Sequence, residues 1–321
     1  MSPPPPPPLG RSRRRSGRSD HAFDPALDDT ALIDVRGQFA QGRWTRARSL
    51  LVATGTDWDR RGHRFLALAA VPSAAGWARD WLLAEPGSPD ATTLLACAAV
   101  ARAQRPKAAA AESGRAREAC LAAAALDPAD PTPWLGLMVL ERTHGTQEGT
   151  ARHFEEIRAR HPEHHHAHHL MTAALAEARP ESDPLHEVYD FAAWAAEQAP
   201  ADSPLAVLPV VAHAERYRVL AAAGVVSDDP AASGHWSGRR ARQVMKAAFD
   251  WWLEWEREDH PRHRADLNFL AHAKTCEGRP AEAAALFHRI GTHATEAPWS
   301  YGGRDAYPAF LAARALALGA P

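Results

Sequence analysis

Apolar residues recur along this chain with the period of a helix and almost nowhere with the alternation of a strand. The clearest stretch is LDPADPTPWLGLMVLERTHGTQEGTARHFEEIRARHP, residues 126–162. A short polar turn leads into an apolar helix, Gly145 breaks it, and a second amphipathic helix runs to Pro162, 34 residues after Pro128. Residues 264–291, which include LNFLAHAKTCEGRPAEAAALFHRIG, repeat the arrangement with Gly278 at the turn. Weaker units surround these two. QGRWTRARSLL (41–51) carries Gly42 and Ala47 at the spacing of Gly278 and Ala283. Residues 58–86 predict a helix pair, and 89–128 another with an Ala-rich insertion around 105–113. Residues 163–200 and 203–258 predict longer, irregular pairs, and a last helix at about 304–319 would cap the array.

Composition supports the pattern. Ala, Leu, Glu and Arg, all good helix formers, dominate, and β-branched runs are nearly absent, so an all-α fold is expected. The first 28 residues differ: six consecutive prolines and an Arg/Ser stretch cannot bury anything and read as a disordered arm ahead of a 29–321 helical domain. Residues 1–20 hold five Arg and one Asp, a net +4, so the remainder carries −6 of the overall −2. An acidic body disfavours nucleic acid as a partner. Cys97, Cys120 and Cys276 stand far apart without a CxxC, which suits a reducing cytosol. No apolar run reaches the length of a membrane span.

The two clear units resemble the tetratricopeptide repeat, whose period is 34 and whose helix pair ends in Pro. On that motif Trp134 and Leu137 take the first-helix anchors, Gly145 the turn, Phe154 the second-helix aromatic position and Pro162 the end. In the C-terminal unit Leu270, Ala271, Gly278, Ala283 and Phe287 match. Thr150 and Met138 depart from it, standing where small residues are expected. The resemblance implies a right-handed α-α superhelix, a solenoid of stacked pairs that bury one another's apolar faces, closed by the C-terminal helix. It also implies a concave face lined by Thr132, Leu135, Val139, Arg142 and Thr143, then His166 and His169, then Ala265, Asn268, His272, Thr275 and Cys276.

No GxSxG, Walker, GxGxxG, HExxH or EF-hand pattern occurs, so neither catalysis nor a cofactor is expected. The unusual string is HPEHHHAHH, residues 161–169. On a helix His165 and His169 stand at i,i+4, as do His164 and His168, so either pair could clamp a transition metal. The plainer expectation is an incidental affinity of a His-rich surface, with His168 packing where Trp134 packs one repeat earlier. Glu256, Glu258, Asp259, His260 and His263 form a second polar knot, read first as a turn into a helix at Pro261. In FDWWLEWE, Trp251 and Trp255 share a face and are expected in the core, leaving Trp252 as a candidate exposed anchor. Trp299 and Tyr301 of APWSYGG are expected in a loop tucked against the last repeat.

The expected function is a protein- or peptide-binding scaffold whose contacts are Arg142, His166, His169, Asn268, His272 and Trp252. For Asn268, the only asparagine, an internal hydrogen bond weighs equally with groove lining. The alternative is a helical sensor module that binds a small ligand or a transition metal through the His-rich helix.

Overall fold

The computed structural model describes residues 23–105, 108–178, 186–255 and 259–319. The bulk of the expected arm, residues 1–22, and Glu256 and Glu258 of the polar knot lie outside the described residues. Fifteen α-helices and three short 3-10 turns make up the secondary structure, with no strand among the described residues. The helices are α1 (Thr30–Ala40), α2 (Trp44–Thr54), α3 (Trp58–Ala69), α4 (Ala74–Ala84), α5 (Pro89–Ala103), α6 (Ala110–Leu126), α7 (Thr132–His144) and α8 (Gln147–Arg158). There follow α9 (His165–Glu177), α10 (Glu187–Gln198), α11 (Leu208–Ala222), α12 (Arg239–Trp255), α13 (His263–Cys276), α14 (Pro280–Ile290) and α15 (Ala306–Leu318).

Local chemistry sets the starts. Asp29 accepts from Leu32 N–H at the head of α1, Asp57 from Arg60 N–H at α3, and Thr146 from Gly149 N–H at α8. Ser88 caps α5, and Pro89 follows at its first position. Gly145 separates α7 from α8 for a reason particular to this chain. A Cβ there would lie 1.4 Å from Glu141 Oε2, because the Glu141 side chain folds back over the turn. Its carboxylate accepts the Thr146 N–H at 3.1 Å and an Arg117 N–H from α6. The close approach expected at Met138 is made two residues earlier, by Gly136, whose Cβ position lies 3.3 Å from Cys120 Sγ on α6.

Consecutive helices pack as pairs, α5 on α6, α7 on α8 and α13 on α14, and alternate helices pack in a row from α3 through α5, α7, α9 and α11 to α13. The row curves until its ends meet. Arg60 at the head of α3 donates to the Asp259 carbonyl before α13, and Arg264 of α13 reaches Asp28 at 2.7 Å. Residues 23–28 therefore belong to the folded body, with Ala26 and Leu27 buried.

The largest apolar cluster runs from α7 to α15, and smaller ones fill α1–α5 and the α5–α7 junction. At its C-terminal end Phe287 is fully buried, its ring 5.7 Å from Trp299 and 5.6 Å from Phe310. Trp299 and Tyr301 are buried in the loop before α15, as the small residues around them suggest. The tryptophans of α12 depart from expectation. Trp252 is buried, continuing a stripe of Ala241, Met245, Ala248 and Phe249, whereas Trp255 is 40% exposed. The helical phase is set by the residues upstream of FDWWLEWE, which the aromatic run alone does not reveal.

Candidate metal centre

Where α3, α9 and α13 converge, the half-buried Asp59 and the buried Asp266 are surrounded by imidazoles. Asp59 in the first turn of α3 accepts His165 N–H at 2.9 Å and faces His161 Nε2 at 3.0 Å, His164 Nδ1 at 3.5 Å and His260 Nε2 at 3.8 Å. Asp266 in the first turn of α13 lies 2.9 Å from His165 Nε2 and 3.3 Å from His169 Nε2. Three chain segments thus deliver one group each: α9 gives His165, the turn after α12 gives His260, and α13 gives Asp266. One donor atom from each lies within 4.8 Å of the other two. His169 stands beside them, its ring 4.3 Å from that of His165.

Charge in this region is uneven. Burial opposes ionisation of Asp59 and Asp266, but the imidazoles around them outweigh it, and both carboxyls are held far below their usual range. Burial pushes His165 down to about 3, with Asp266 offsetting only part of the shift. His164 is lowered by burial as well. His161 moves the other way: burial opposes its charging, but its hydrogen bond to Asp59 and the attraction of the nearby carboxylates together outweigh that. At neutral pH the pair is a neutral His165 and an ionised Asp266, so His165 Nε2–H donates to the carboxylate. That tautomer leaves Nδ1 as an acceptor, and it is buried with no hydrogen-bond partner.

Ionised carboxylate and neutral imidazole are the states a transition metal requires. Donors around a tetrahedral ion with bonds of about 2.0–2.1 Å lie roughly 3.3 Å apart, so side-chain shifts of at most ~1.5 Å would close the set. The centre borders a cavity of about 330 Å³ walled by Trp58, Trp251 and Trp252. Zn²⁺, Ni²⁺, Cu²⁺ and Fe²⁺ all suit imidazole donors, and Zn²⁺ also takes carboxylate oxygen.

The other residues singled out from the sequence are dispersed. His164 faces Asp59, while His168 packs edge-on against Phe154 at 4.9 Å, so that i,i+4 pair is split between two environments. His166 lines a second cavity with Arg262. Arg142 is paired with Glu177 at 2.9 Å on the flank of α7, away from the centre. Asn268 is fully buried: Nδ2 donates to the carbonyls of Arg264 (2.7 Å) and His293 (3.0 Å), and Oδ1 accepts Trp299 Nε1–H at 2.7 Å. His272 is buried between Trp236 and Trp299, with Arg304 NH2 3.2 Å from Nε2. Trp252, read from the sequence as an exposed anchor, is a buried wall of the 330 Å³ cavity. The His165–His169 pair does come together, but in the interior rather than on a solvated surface. Asp59 and Asp266 were not legible, since each is a single acidic residue in the first turn of an ordinary helix. His260 lay in the polar knot, with nothing local to link it to residue 165.

The chain matches no protein-family model and no curated protein.

Proposed function

We propose that this protein is a non-enzymatic helical-repeat module that binds a transition metal ion, held by His165, His260 and Asp266 with His169 as a fourth donor. The carrying observation is the convergence of those groups, from segments about 100 residues apart, beside a cavity. A plain structural polar cluster would be expected to satisfy its own atoms, and His165 Nδ1 has no partner. Four protein donors would fill a tetrahedral ion, which is the closed pattern of a sensing or structural site rather than the open one of a metalloenzyme.

The test is a Zn²⁺ or Co²⁺ titration of chelator-treated protein, by calorimetry and by the visible Co²⁺ spectrum. One tight site per chain is expected, and His260→Ala or Asp266→Asn should weaken it by about 100-fold or more. Absence of stoichiometric binding, or equal affinity in both variants with unchanged helicity, would overturn the proposal.

A second reading keeps the tetratricopeptide-like superhelix as a peptide-binding scaffold. The row of alternate helices packed against one another supports the stacked-pair architecture. Arg142, partly exposed on that row, is the residue from which a carboxylate-bearing peptide would be gripped. The interior bonding of Asn268 and His272 weighs against the remainder of that face. Arg142→Ala should abolish peptide capture if this reading holds and leave it unaffected if it does not.

A further inference from the structure

A second cavity, of about 380 Å³, lies on the opposite side of the α13 N-terminus from the metal centre and is walled by Leu27, Leu66 and Phe269. Its polar liners are Arg262, His63, His166 and Thr295, with two carboxylates at the rim. Arg262 lines it, and no carboxylate among the described residues comes within ion-pair distance of that guanidinium, although Arg61, Arg64 and Arg264 each have one. Arg262 Nε is shielded from solvent with no hydrogen-bond partner, and so is His166 Nδ1. His63 also lines it, with a 3.4 Å contact to the Ala26 carbonyl. Two carboxylates stand at the exposed rim, Asp24 and Glu296, and Asp24 is already paired with Arg36.

A guanidinium placed in an apolar cavity without a counter-charge is costly unless something anionic completes it. Among the described residues lining the cavity Arg262 is the one guanidinium, its fork suits the two oxygens of a carboxylate, and His166 presents a further polar atom without a partner.

We propose that this cavity binds a small carboxylate with an apolar body, its oxygens on Arg262 and His166 and its hydrocarbon against Leu27, Leu66 and Phe269. None of these groups is a proposed metal donor, although the Arg262 backbone N–H donates to His260 Nδ1 at 3.2 Å.

The experiment uses the full chain with octanoate as the probe, and octanol and octylamine as matched controls, read by calorimetry and by thermal shift. Octanoate should bind and raise the melting midpoint, and the alcohol and amine should bind at least about tenfold more weakly. Arg262→Gln should lower octanoate affinity by about 10–100-fold. Ala265→Leu, which fills the cavity from a buried lining position, should block binding while leaving Arg262 in place. It serves as the deciding variant if Arg262→Gln does not fold. Equal binding of octanol, no binding of octanoate at millimolar concentration, or binding that survives Ala265→Leu would overturn the proposal.

Discussion

His165 Nε2 and the Asp266 carboxylate stand 2.9 Å apart although 101 residues separate them. Both are buried, and the contact joins the middle of the array of helices to its last pair. Helices α9 and α13 both pack on α11, and this shared neighbour brings their first turns together.

The interior histidines predict how the protein responds to acid. Burial lowers His63 and His168 to about 4, and His165, His213 and His272 to about 3. Each has a folded value below its unfolded one, near 6.5, so the unfolded chain binds more protons and stability falls as pH falls below 6.5. At pH 5 the penalty is up to about 2 kcal/mol per histidine. Acid unfolding is therefore expected near pH 5, above the carboxylate range, with urea midpoints rising from pH 5.5 to 7. Near-UV circular dichroism against pH checks this, and a native signal persisting at pH 3.5 would contradict it.

Phe287→Ala should cost about 3–5 kcal/mol, since the ring is fully buried between Trp299 and Phe310 and the site cannot collapse around three large aromatics. Denaturant melts measure it. A loss under about 1 kcal/mol would mean the C-terminal cluster repacks freely.

Asn268→Ala removes an amide that makes three internal hydrogen bonds, leaving Trp299 Nε1 without its acceptor and taking one donor each from the Arg264 and His293 carbonyls. A destabilisation of about 2–4 kcal/mol is expected. If the variant melts like the parent, those groups find water and the residue has no structural role.

Gly145→Ala places a methyl group on the Glu141 carboxylate and 2.8 Å from Glu141 Cα. The carboxylate must leave, releasing Thr146 N–H and Arg117, at an expected cost of about 2–4 kcal/mol. In a Glu141→Ala background much of that cost should vanish, leaving the part due to the backbone contact. A double-mutant cycle of unfolding free energies reads the coupling, and strict additivity would refute the link.

The amino-acid sequence by itself determined the all-helical class, the pairing of helices and most of their boundaries. Those properties are local: helical periodicity, capping residues such as Asp29 and Thr146, and breaks such as Gly145 and Gly278 act over a few residues. It also marked the raw material of the candidate site, the run from His161 to His169 and the turn holding His260. What it could not contain was the partnership. His165 meets Asp266 and His260 because α9 and the start of α13 come together only in the packed chain, and no single position encodes that juxtaposition. The same holds for Trp252, whose side is fixed by Ala241 and Met245 upstream, and for Arg262, a common residue that becomes unusual only where no carboxylate reaches it. Periodicity fixes which residues can share a face. Closure of the whole array decides which faces meet, and with it which charges are left buried together.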